Sequence, residues 1–291
     1  MECAFREKIE APGFYPEPQP DSIALRFLPD IVCTDSLDFN AAFSPDGQTF
    51  YFSRSVKGKY KIYRSTFDGK DWTKPGLAPF SESEYAEADP FITPDGTLYY
   101  ISDRMKGPSA TIPDFDIWFV RPLTNGEWTA PENLHVVNAD STEYYYVSLS
   151  SNGNIYFASN RTGGYGDHDI YVSKLIDGKY SPPENLGPDI NSSQMEHDPF
   201  ISMDERFIIF TSVNRPDSFG QAVLYYSQVS EDGKWSTAMN MGKQFNTPTY
   251  EYCSFLSPDM KYFFFSSDYD VKWISAKYLP PLQQSGMPVK E

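Results

Sequence analysis

Acidic side chains recur in this chain at fixed distances ahead of a repeated turn. The turn is clearest as Ser44-Pro45-Asp46-Gly47, and its third position falls at 46, 95, 152, 204 and 259. Eight residues before that position stand Asp38, Glu87, Tyr144, Glu196 and Glu251, with Glu143 one place away in the third copy. Six before it stand Asn40, Asp89, Tyr146, Asp198 and Cys253. On a regular strand these two positions share a side, so the spacing predicts carboxylates gathered on one face. Two such groups can act as acid and base on a glycosidic bond when they stand ~5–5.5 Å apart for retention or ~6.5–9.5 Å for inversion. Asp89, Glu196, Asp198 and Glu251 are the candidates for that chemistry.

Arg54, Arg104, Arg161 and Arg215 end the segments that follow the turns. Arginine is suited to partly buried carboxylate pairing, so the first expectation is that each forks onto an acid of its own or a neighbouring unit and fixes the packing. The alternative is a polar funnel that binds a sugar, a peptide terminus or a cation, and unpaired carboxyls there would have raised pKa values. In that alternative the ligand face comprises the acids Asp38, Glu87, Asp89, Glu143, Glu196, Asp198 and Glu251, with Tyr146, Arg161, His168 and His197. The two histidines, flanked by acids and expected on one face of adjacent units, raise the idea of a metal pair. No H-E-x-x-H, C-x-x-C or G-x-S-x-G motif accompanies them, so neither a metal nor a cofactor is expected. Gly163-Gly164-Tyr165-Gly166 lacks the following helix and Lys-Ser/Thr of a phosphate cradle and reads as a hairpin loop.

The elements that must carry these residues are clearest in Glu143 to Leu186. Two apolar-alternating runs, Tyr145–Ser150 and Ile155–Ser159, flank the turn Ser151-Asn152-Gly153, and a third, Asp169–Leu175, follows the glycine-rich loop. An Asp177-Gly178 hairpin signal then returns the chain to an aromatic segment at Tyr180. The other units have their aromatic segments at Trp72, Trp128 and Trp235. Turn spacings of 49, 57, 52 and 55 residues suit radial four-strand blades with variable loops. The expected fold is an all-β, five-bladed propeller, with six blades as the alternative.

First, second and third strands occur five times, but the hairpin into an aromatic fourth strand occurs only four times. The spare strand-like segment is Ala24–Phe27, which is therefore expected beside Val271–Ala276, closing the ring. Its continuation, Leu28-Pro29-Asp30-Ile31, resembles Leu186-Gly187-Pro188-Asp189-Ile190 after a fourth strand inside the chain. Residues 1–22, proline-rich and aperiodic, are expected as an exposed arm; residues 23–279 form the propeller and 280–291 a tail. The loop at 160–168 and its longer counterpart, Met105–Phe115, with Trp118 and Tyr165 nearby, are candidates for partner specificity.

The phrases Phe43-Ser44-Pro45-Asp46-Gly47, Ile92-Thr93-Pro94-Asp95-Gly96 and Phe157-Ala158-Ser159-Asn160-Arg161 resemble the Pro-Asp variety of WD40-like propeller repeat, the type in TolB and many bacterial envelope proteins. The resemblance covers Asp38 to about Ala276. It departs from TolB in having five repeats rather than six and no separate N-terminal α/β domain. It implies a propeller and, by analogy, a periplasmic or cell-envelope location, with the cytoplasm as alternative. Function is only weakly implied, because this scaffold serves docking modules, protease gating domains and carbohydrate-active enzymes. Pro, Asp and Gly in the turn are read as structural: proline presets φ, aspartate bonds back to the backbone and glycine accepts positive φ.

A net charge of -16 opposes binding to nucleic acid or anionic membranes. No apolar run is long enough for a membrane span, and the three cysteines are too scattered for a disulfide framework. Cys3 before a proline-rich stretch is compatible with a trimmed lipoprotein start. The chain is thus expected to be a monomeric binding or docking module for a protein or a small polar ligand such as a saccharide, with a glycoside hydrolase-like enzyme as the alternative.

Overall fold

Each repeat folds as a four-stranded antiparallel sheet in the computed structural model, which describes residues 14–105, 114–138 and 142–284. The five sheets form the blades of a propeller. Blade 1 runs through Asp38–Phe43, Thr49–Val56, Lys59–Thr66 and Gly76–Leu77. Blade 2 uses Glu87–Ile92, Leu98–Ser102, Asp116–Val120 and Glu132–Asn133. Blade 3 uses Tyr144–Leu149, Ile155–Ser159, Asp169–Ser173 and Glu184–Asn185. In blade 4 the strands are Met195–Ile201, Phe207–Val213, Ala222–Gln228 and Met239–Asn240. Blade 5 supplies Tyr252–Leu256, Tyr262–Ser267 and Asp270–Ser275, and takes its fourth strand, Leu25–Arg26, from the front of the chain.

The closure occurs where the strand count places it. Leu25 pairs with Trp273 and Arg26 with Lys272, and Phe27 N–H donates to Val271 C=O at 2.9 Å. Phe27 is fully buried between blades 1 and 5, its ring centroid 4.8 Å from that of Phe50 and 5.1 Å from that of Phe264. The phrase after this strand also behaves as its likeness implies. In blades 2 to 4 an asparagine beyond the fourth strand (Asn138, Asn191, Asn246) bonds both backbone groups of a third-strand residue: Ile117, Ile170 and Leu224 respectively. In blade 5 Cys33 takes that place, its thiol donating to Val271 and Phe27 carbonyls. Burial pushes the thiol pKa up to about 12, which keeps it a donor.

Two expectations need correction. The aromatic segments at Trp72, Trp128, Tyr180 and Trp235 are not the fourth strands. Trp72, Trp128 and Trp235 form isolated bridges back to Phe67, Pro122 and Val229, and Tyr180 closes a small hairpin with Leu175. The fourth strand starts four residues later in every case. The arm is not exposed where it is described: Phe14 and Tyr15 are buried, Trp72 Nε1 donates to Phe14 C=O at 2.7 Å, and Tyr15 Oη donates to Asp259 at 2.9 Å. This stretch therefore ties blade 1 to blade 5, whereas residues 1–13 lie outside the described residues. Beyond the last strand, Leu279 and Leu282 are buried and Gln228 Nε2 donates to Pro281 C=O.

The turn aspartates act as read. Asp46 accepts from Ser44 Oγ and Gln48 N–H, and Asp95, Asp204 and Asp259 repeat the pattern in their blades.

Candidate functional site

The two columns of polar residues part company at a β-bulge. Each first strand shifts register after the residue seven before the turn. At the next position Asn40, Asp89, Tyr146, Asp198 and Cys253 all adopt positive φ, between 48° and 65°. Asn and Asp tolerate this left-handed region, whereas Tyr and Cys sit in it under strain that their surroundings must hold. The regular alternation that would put the two columns on one face is thereby broken.

The outer column, Asp38, Glu87, Tyr144, Glu196 and Glu251, is fully buried and satisfied inside each blade. Arg54 pairs with Asp38, Arg104 with Glu87 at 3.1 Å and Arg215 with Glu196 at 3.0 Å. In blade 3 Tyr144 replaces the acid, and Arg161 donates to its hydroxyl at 3.0 Å. Each guanidinium also lies over aromatic rings, as Arg215 does over Tyr225 at 4.7 Å and Arg161 over Tyr171 at 5.1 Å. Blade 5 has no arginine here, and Glu251 accepts instead from Thr247, Thr249 and Ser267 hydroxyls. The pinning expectation therefore describes Arg54, Arg104 and Arg215. Asp38, Glu87, Arg161, Glu196 and Glu251 do not line the central cavity.

The inner column gathers on the propeller axis. Asp89 Oδ2 accepts Tyr146 N–H at 3.3 Å, Asp198 Oδ2 accepts Cys253 N–H at 3.1 Å, and Cys253 Sγ lies 3.7 Å from Asp89 Oδ1 and 3.3 Å from Asp198 Oδ2. Both carboxyls thus meet at one sulfur atom. Tyr146 crosses from blade 3 to blade 5, its hydroxyl donating to Ser254 C=O at 2.6 Å, and fills the axis at this level. Asn40, 1 % exposed, is near enough to Asp89 to hold its carboxyl down, yet neither amide atom meets hydrogen-bond geometry with any described group. Burial first, and the Asp198 charge second, push the Asp89 pKa up to about 7.

The residues one place before the bulge form the walls. Phe39, Tyr145, His197 and Tyr252 face a central cavity of about 640 Å³, joined by Tyr60 and Tyr250. Ring contacts run continuously along one side: Tyr60 to Phe39 at 5.2 Å, Phe39 to Tyr252 at 5.8 Å, Tyr252 to Tyr250 at 5.5 Å and Tyr250 to His197 at 5.8 Å. His197 is held at both nitrogens, Nδ1 3.0 Å from Asp198 Oδ1 and Nε2 2.8 Å from the Tyr250 hydroxyl. Burial raises the pKa of the Tyr145, Tyr250 and Tyr252 hydroxyls, so these groups act as neutral donors and acceptors.

Of the predicted ligand residues, the cavity lining includes Asp89, His197 and Asp198. Glu143 and His168 stand together outside it. His168 Nε2 lies 4.0 Å from Glu143, its Nδ1 3.6 Å from Asp167, and its ring 4.9 Å from that of Tyr145. Burial lowers the His168 pKa. Among the described residues no three His, Cys, Asp or Glu side chains converge as metal ligands. The glycine loop is tied down by Asp169, which accepts Tyr165 and Gly166 N–H. Trp118 is buried beneath Arg104 and offers no partner surface, whereas Tyr165 is half exposed. Most of the Met105–Phe115 loop, residues 106–113, lies outside the described residues.

The cavity aromatics were missed at the sequence level. Their signal was an aromatic or histidine residue between the two polar columns in four of the five units, Ala88 standing in the second, legible only if a bulge is assumed.

No family model matches the sequence, and no curated protein matches it. Solved structures do. A thermostable family-43 glycoside hydrolase matches with a TM-score of 0.52 at 12% identity, covering 84% of this chain and 90% of that one. The endo-arabinase of Bacteroides thetaiotaomicron VPI-5482 matches with a TM-score of 0.51 at 14% identity, covering 88% and 96%. A gluconolactonase of Xanthomonas campestris has a TM-score of 0.49 at 11% identity, covering 84% and 86%. Puromycin hydrolase also matches, and the chain spans 33% of its length. At these identities the similarity defines the class, a β-propeller, and nothing finer.

Proposed function

We propose that the protein is a saccharide-binding propeller whose ligand enters the central funnel. The observation that carries this is the continuous aromatic wall, ending at His197, over a floor of Asp89 and Asp198 within about 640 Å³. Aromatic faces can cover the apolar C–H face of a sugar ring, while a few convergent polar groups fix its hydroxyls, the usual division of labour in a ligand pocket. The likeness of its turn phrases to those of envelope propellers supports a cell-envelope location under this reading. Titration calorimetry against a panel of mono- and oligosaccharides tests it. Binding should be measurable and should weaken about tenfold or more in Tyr252→Ala. A panel without heat, or binding indifferent to Tyr252, overturns the reading.

A second reading is supported by the floor itself. Asp89 holds a proton near neutrality while Asp198 is oriented by His197, and both carboxyls contact Cys253 Sγ. One acid poised to donate beside another carboxylate is the arrangement a glycosidase requires. Aryl-glycoside hydrolysis lost in both Asp89→Asn and Asp198→Asn would promote catalysis over binding; inertness of the wild type across the panel would retire it.

A further inference from the structure

The saccharide reading leaves the ligand's charge open, and the charges around the funnel bear on it. Three acids, Asp89, Asp198 and Asp268, line the cavity, and no lysine or arginine is among the lining residues. Asp268 is paired with Lys272 at 2.8 Å. Asp198 touches only His197 as a basic group, and Asp89 has no cationic partner among the described residues. The Asn40 amide beside Asp89 is buried, and neither of its polar atoms is in hydrogen-bond geometry with a described group. An ammonium group has three donors and no acceptor, which suits the two carboxylates of the floor. The wall of Tyr60, Phe39, Tyr252 and Tyr250 presents aromatic rings, whose faces attract a desolvated cation. A neutral sugar would offer Asp89 and Asp198 hydroxyl hydrogen bonds but no opposing charge.

Resting on the saccharide reading, we propose that the preferred ligand is an amino sugar, its ammonium seated against Asp89 and Asp198 and its ring against the aromatic wall. Such a ligand would change the protonation of the floor. Asp89 is surrounded by Asn40 from blade 1, Tyr145 and Tyr146 from blade 3, Asp198 with His197 from blade 4, and Tyr252 and Cys253 from blade 5. Burial and the Asp198 charge hold its proton on up to about pH 7. A bound cation favours the ionised form, so binding at neutral pH expels a proton, and affinity falls as pH drops below that value.

The test is calorimetry of the whole chain with glucosamine, glucose, glucuronate and tetramethylammonium, at pH 7 and pH 5. Phosphate and PIPES buffers, which differ in ionisation enthalpy, report proton release. The expected result at pH 7 is glucosamine binding about tenfold tighter than glucose, glucuronate weaker than both, and net proton release. The preference should shrink to about twofold at pH 5 and be lost in Asp89→Asn, whose folding is checked by circular dichroism. Equal binding of glucosamine and glucose by the wild type overturns the charge preference and leaves the saccharide reading standing. Tetramethylammonium binding without any sugar binding overturns the saccharide reading and keeps a cation site. No heat from any of the four overturns both.

Discussion

Asp89 is the residue on which the chemistry of the funnel turns, and its energetics can be read without a ligand. Its folded pKa, about 7, stands above the ordinary aspartate value of 3.8 because burial and Asp198 both oppose its charge. The folded state therefore binds more protons than the unfolded chain between those two values, and stability falls as pH rises through that window. Below about pH 4 both states are protonated and the penalty vanishes. Asp89→Asn keeps an acceptor for Tyr146 N–H and removes the charge. It should be more stable than the wild type at pH 8, by up to a few kcal/mol at about 1.4 kcal/mol per unit, and so melt higher, with the advantage shrinking toward pH 4. Thermal melts across this range check the prediction, and a variant that loses stability at pH 8 contradicts it. The identity of Asp89 as a candidate was legible in the sequence. Its pKa, its meeting with Asp198 at Cys253, and the exclusion of Glu196 and Glu251 from the cavity were not, because each depends on the bulge.

At the scale of elements, two devices recur. One is the arginine that pins the first strand to the second. Arg215→Ala leaves Glu196 fully buried with hydroxyl and amide donors but no cation, and removing one partner of a buried pair costs about 3–5 kcal/mol. Adding Glu196→Gln should restore part of that loss, and urea melts of the single and double variants measure it; a single variant as stable as wild type would show that the hydroxyls suffice. The other device is the borrowed strand. Deleting residues 1–30 removes Phe27 from between Phe50 and Phe264 and the edge pairing of Trp273. Losing a buried Phe side chain alone costs about 3–5 kcal/mol, so the cooperative melting transition should disappear. An unchanged transition would count against closure as a source of stability. The repeated phrase after the fourth strand announced this closure. The fourth strands themselves were misplaced because an aromatic residue after a tight hairpin signal resembles a strand whether it pairs along an edge or merely folds back as a single bridge.

At the scale of the whole molecule, a net charge of -16 acts against compactness, while the buried ion pairs are little exposed to salt. Raising ionic strength from about 0.01 M to about 0.15 M shortens the Debye length from about 30 Å to about 8 Å. The melting temperature should therefore rise with added sodium chloride; a fall would mean that attractive surface pairs dominate. By itself the sequence determined the repeat, the number of blades and the strand that closes the ring. These follow from local turn chemistry and from apolar runs that recur at a readable period. Tertiary structure alone decided which polar residues face the central cavity. Five strands bend at the same position through positive φ, and that bend turns one column of acids into the blades, draws a second onto the axis and leaves the aromatic column between them as the wall.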